Sequence, residues 1–179
     1  MCNSASLGFA MVVIHAEKVV IPQPDFNFTT YNPRSPPKAA LLKMTNHMET
    51  VGCESGTHYL RAAVSPAAIK NPQDLLSEYS PDKYTTISYA VFDPAYTVWF
   101  LSGGTRIAAS RKVFNTLLGK GQKKGAKAKK VISGGKTPDR SEPLFKVANW
   151  VVQLYDFGMW AENLNCHILT PPPCPSIVI

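Results

Sequence analysis

Between Asp93 and Asp139 the chain has no acidic residue. The same interval holds Arg106, Arg111, Lys112, Lys120, Lys123, Lys124, Lys127, Lys129, Lys130 and Lys136. The whole 179-residue chain has 19 Lys and Arg against 12 Asp and Glu, a net charge of +7. With ten of the basic residues in one interval, nine remain elsewhere against the twelve acids, so the rest of the chain is at −3. The excess positive charge therefore belongs to one segment, and a body with a generally basic surface is excluded.

Cysteine is also scarce. Cys2, Cys53, Cys166 and Cys174 are too few and too scattered to build a disulfide framework in a chain of this length. A zinc site draws its four ligands from closely spaced pairs. Neither His47, Cys53 and His58 nor Cys166, His167 and Cys174 offers one, since Cys166 and His167 are adjacent and point to opposite faces of an extended strand. Buried cysteines and surface histidines are the expectation, with no metal and no cofactor. No apolar run reaches the 18 residues of a membrane-spanning helix. The apolar N-terminal run has no basic region before it and is broken by His15, Glu17 and Lys18. A secretory signal is therefore not expected, and an intracellular, reduced protein is.

Catalytic signatures are missing as well. Gly134-Gly135-Lys136-Thr137 resembles the end of a phosphate-binding loop, but Lys130 occupies the place of the required first glycine. Pro138 then denies the following helix a donor in its first turn. Cys53, Glu54 and His58 lie close in sequence, but no Gly-x-Ser-x-Gly elbow occurs and no pair of carboxylates stands out. An enzyme acting on a phosphorylated substrate is the weakest of the functional expectations, and no catalytic residue is assigned.

What the chain does have is packing material and punctuation. Hydrophobic residues make up 45%, with three Trp, seven Tyr and eight Phe, enough to offset the entropy cost of folding a core. Fifteen prolines point to many turns and extended connections rather than a helical bundle. Residues 8–21 read as a strand and residues 22–38 as a Pro-rich extended loop. The stretch "ALLKMTNHMETV" is open between helix and strand, whereas "HYLRAAVS" reads as a strand. Asn71-Pro72 is expected to open a short helix through "QDLLSEY". "YTTISYAVF" and "YTVWFLSG" form a predicted hairpin around Asp93-Pro94-Ala95. Thr105 is the expected cap of a helix over "RIAASRKVFNTLL" that Gly119 ends. Ser141 caps another across "EPLFKVANWVVQLYDFG", where Trp150, Val151 and Val152 also allow a strand.

The expected fold class is α+β, an antiparallel sheet with two or three helices and long Pro-rich loops. A mainly β, jelly-roll-like shell domain is the alternative. Residues 1–170 are expected to form a single globular domain with a basic loop at 119–140, followed by an extended C-terminal arm at 171–179.

Six lysines fall within residues 120–130, spaced by Gly, Ala and Gln without a large apolar side chain. Such a segment cannot bury itself, and its charges repel within a Debye length of about 8 Å. Stretched out, it spans on the order of 35 Å. Lysine is a compact point charge that suits phosphate neutralisation and not bidentate reading of bases. The expected partner is therefore nucleic acid, RNA in particular, contacted without sequence specificity through the ten basic residues named above. Arg106, Arg111 and Lys112 extend the patch if they share a helix face. The competing expectation is a loop whose charges merely keep the chain soluble.

Two assemblies accommodate such a contact, and both bring protein neighbours. One is a structural subunit of a ribonucleoprotein; the other is a small viral coat protein that packages its genome, which would place it in the virion.

Overall fold

The computed structural model describes residues 6–14, 27–30, 36–123 and 141–158. Five strands, β1 (Ser6–Val13), β2 (Asn27–Thr30), β3 (Leu60–Val64), β4 (Thr97–Phe100) and β5 (Asn149–Asp156), form one sheet in the order β1-β5-β3-β4-β2. Among the described residues it is accompanied by the helices α1 (Lys38–Thr50), α2 (Gly104–Lys123) and α3 (Pro143–Ala148). The fold is α+β. Its sheet is mixed, not wholly antiparallel: β1–β5 and β3–β4 run antiparallel, whereas β3–β5 and β2–β4 run parallel. The parallel β3–β5 pair is reached by a long crossover that contains α2, as parallel neighbours require. The sheet is open and flanked by helices, so the described residues do not make a jelly roll.

Both faces of the sheet are covered, and strict alternation along β1 shows it. Ala10, Val12 and Ile14 enter one apolar cluster together with Trp150, Val152 and Leu154 of β5. Met48 of α1 and Ile107, Ala109, Val113 and Phe114 of α2 close that side. Phe9 and Met11 enter a second cluster with Val151, which Ile87, Leu76 and Tyr79 cover from the other side. Phe9 meets the Tyr59 ring edge-on, with centroids 5.2 Å apart. Strands buried on both faces read as continuous apolar runs, which is why residues 150–152 and 9–14 lack a polar face.

Several elements depart from the sequence expectations, each for a definite reason. Residues 27–30, inside the Pro-rich stretch, form β2 and pair with Thr97–Phe100. The helix expected after Asn71 is only a 3-10 turn, Pro72–Asp74. Asn71 is occupied elsewhere: its Nδ2 donates to Tyr89 O at 2.8 Å and its Oδ1 accepts Val91 N at 2.8 Å. The hairpin around Asp93 does not form. The turn itself exists, with Tyr96 N donating to Asp93 O at 3.1 Å. However, residues 88–90 bond to the free edge of β1, where Met11 N donates to Ser88 O and Ala90 N to Met11 O, both at 2.9 Å. β4 meanwhile pairs with β3 and β2.

α2 starts at Gly104, one residue ahead of the expected cap Thr105, and continues through Gly119 to Lys123. Residues 119–123 are thus helix, and the remainder of the expected basic loop, 124–140, lies outside the described residues, as does the C-terminal arm at 171–179. The last expected helix is confined to α3. Asn149 ends it, donating through Nδ2 to Phe145 O at 2.8 Å, and the strand alternative at Trp150-Val151-Val152 prevails as β5. "ALLKMTNHMETV" resolves as α1 and "HYLRAAVS" contains β3.

Candidate nucleic-acid interface

α2 carries five of the ten predicted contact residues: Arg106, Arg111, Lys112, Lys120 and Lys123. Lys124, Lys127, Lys129, Lys130 and Lys136 lie outside the described residues. At 1.5 Å per residue the five span about 25 Å of helix axis. The inner face of α2 is fixed by Ile107, Ala109, Val113 and Phe114, all buried, with Leu117 and Leu118 continuing the seam. The seam runs well past the middle of the helix and holds it against the body.

Arg106, Arg111 and Lys112 do not share a face. Helical steps of about 100° place Arg106 about 140° from Arg111 and about 120° from Lys112. Arg111 and Lys112 are exposed, while Arg106 is half-buried and donates from Nη1 to His58 O at 3.4 Å. The same geometry brings a different set together. Positions 112, 116, 120 and 123 fall within about 80° of one another, so three lysine positions, separated only by Thr116, share one sector. Thr116 donates from Oγ1 to Lys112 O of the preceding turn at 3.0 Å. No acid interrupts α2 anywhere along its length. Cations near its C-terminal end also complement the helix dipole, each by about 0.3–1 kcal/mol at an exposed site.

Cys53 is buried, and desolvation pushes its thiol from 9.0 up to about 12 against the opposing bond from the Ser55 backbone. A thiol that stays protonated at neutral pH is no nucleophile. His58 Nε2 lies 3.3 Å from Glu54 Oε2, an exposed pair one helical turn apart in sequence. Among the described residues no three His, Cys, Asp or Glu side chains converge on a metal position. Cys166, His167 and Cys174 lie outside the described residues. Among the described residues no helix is long and apolar enough to cross a membrane.

One feature was not visible in the sequence: a pocket of about 230 Å³ at the N-terminal end of α2, against α1. α1 contributes Met44, His47 and Met48, which lie three and four residues apart on one face. Glu54 and His58 come from the loop before β3, Arg106 from α2, and Trp150 from β5. The spacing at positions 44, 47 and 48 was the available signal, but it acquires meaning only once α2 and β5 stand opposite. Compared with models of known protein families, with curated proteins and with solved structures, the chain matches none.

Proposed function

We propose that this protein is a structural RNA-binding subunit of a larger intracellular ribonucleoprotein assembly, holding phosphates without reading base sequence. The observation that carries the proposal is the acid-free α2, with Lys112, Lys120 and Lys123 in one sector, leading directly into the lysine-rich residues 124–130. The buried seam anchors α2, whose backbone fixes the spacing of these lysine positions, and the small residues that follow in sequence suit a close backbone approach to a phosphate strand. Lysine neutralises phosphate and releases counterions, and that release sets both affinity and salt dependence. Protein neighbours in the assembly are part of the proposal. The open mixed sheet of the described residues removes the jelly-roll form of a shell domain and bears on neither kind of assembly, so sizing of the purified protein separates a subunit from a self-assembling coat.

The test is salt-dependent binding of a single-stranded oligoribonucleotide. If the six lysines at 120–130 all engage, log affinity falls against log salt with a slope of up to about −4. Replacing Lys120, Lys123, Lys124, Lys127, Lys129 and Lys130 with Gln is expected to flatten that slope and weaken binding equally for all base sequences. Unchanged affinity and slope in this variant would refute the proposal.

A further inference from the structure

The pocket beside Arg106 combines three properties that narrow what it can hold. It is small. At about 230 Å³ it lies below the roughly 300–1,000 Å³ of drug-sized ligand sites and has room for one ring system. Its inner wall is apolar and polarisable: Trp150 is 1% exposed, Met48 6%, and Met44 is half-buried beside them. Thioether sulfur packs favourably on aromatic rings, so this wall suits a flat, aromatic body.

Its rim carries a cation with no carboxylate partner among the described residues. Arg106 makes one long bond, to the His58 carbonyl at 3.4 Å, and among the described residues no carboxylate lies within ion-pair distance of it. A guanidinium has five donors in a planar fork, so most of this one remains available to a bidentate anion. His47 adds a second ring at the rim. The one carboxylate among the lining residues, Glu54, lies 3.3 Å from His58 Nε2.

We propose that this pocket binds a single nucleotide unit, the base against Met44, Met48 and Trp150 and the phosphate on Arg106. Naming the anion a nucleotide phosphate rests on the nucleic-acid function proposed above. Arg106 stands at the opposite end of α2 from Lys123, about 25 Å along the axis and about 100° around it. That length equals roughly seven nucleotides at 3.4 Å each, so a strand crossing the lysine sector reaches the pocket by curving around the helix.

Calorimetric titration of the full chain with adenosine 5′-monophosphate and, separately, with inorganic phosphate tests the proposal. The nucleotide is expected to saturate one site and to bind at least tenfold more tightly than phosphate. Arg106→Gln is expected to weaken nucleotide binding at least tenfold without moving the thermal midpoint, and Arg106→Lys, which keeps the charge but loses the fork, to fall between. Lys112→Gln/Lys120→Gln/Lys123→Gln is expected to leave nucleotide binding unchanged while weakening a ten-nucleotide oligoribonucleotide. Absence of saturable nucleotide binding, phosphate binding as tight as nucleotide, or an Arg106→Gln variant that binds like the parent would each overturn it. Should the oligoribonucleotide still bind through the lysines in those cases, the pocket alone is wrong. An oligoribonucleotide indifferent to the lysine changes would instead remove the nucleic-acid function.

Discussion

Gly103 sits where β4 hands the chain to α2, with φ at +88°, and a Cβ built there would collide with Leu60 Cδ2 in the core. Its carbonyl accepts the first helical bond, from Ile107 N at 2.9 Å, so its conformation sets the direction in which α2 leaves the sheet. Gly103→Ala must adopt a left-handed conformation and displace Leu60, and is expected to cost about 2–3 kcal/mol in urea-unfolding free energy. A loss below a few tenths would mean that the junction is not constrained. Other single residues act as ties between distant segments. Asn149, 0% exposed, donates to Phe145 O and accepts Tyr89 Oη at 3.2 Å, joining α3 to the loop that covers the second cluster. Tyr79 Oη donates to Gly56 O at 2.5 Å, and Ser55 Oγ lies 3.0 Å from Tyr84 Oη. None of these pairings is legible in sequence, because a polar side chain advertises its capacity to bond but not its partner.

At the scale of elements, α2 separates what local signals settle from what they do not. Its start was legible to within a residue. Its end was not. Gly119 reads as a stop, but a glycine stops a helix only when the chain must turn there through a left-handed conformation. Gly119 is exposed, has open space around a notional Cβ and lies inside the helix. Gly119→Ala is therefore expected to stabilise the fold by about 0.5–1 kcal/mol, seen as a raised thermal midpoint; a fall would restore Gly119 as the terminator. The same extension carries the lysine positions 120 and 123 round into the sector of Lys112. The failed hairpin teaches a related lesson. Residues 84–92 and 96–103 have strand composition, and the Asp93 turn forms, but β-propensity does not specify a partner, and the edge of β1 takes one segment while β3 takes the other.

For the molecule as a whole, one buried and one half-buried proton-holding group set a limit on alkaline stability. Burial raises Cys53 from 9.0 to about 12, and desolvation, aided by the nearby Tyr84 and Asp82, raises Tyr79 from 10.0 to about 12. Well below pH 9 the folded and unfolded chains both keep these protons and stability is unaffected. Between pH 9 and 12 the unfolded chain releases protons that the folded chain retains, so stability falls as pH rises. The urea midpoint is expected to stay level from pH 7 to 8.5 and then decline, and Cys53→Ala is expected to decline less steeply from its own value at pH 8. Identical slopes in the two proteins would show that Cys53 does not contribute.

Charge, composition and alternation are properties of short stretches, so the chain alone determined the acid-free basic interval, the α+β class, and the strand and helix character of β1 and α2. Tertiary structure decided which strands became neighbours, that the sheet is mixed, and that Val151 and Trp150 belong to a strand buried on both faces. It also moved Arg106 from the expected lysine face to the rim of a pocket built by α1, α2, β5 and the loop before β3. Those choices depend on contacts between residues far apart in sequence, where burial and backbone pairing outweigh the local preference of either partner.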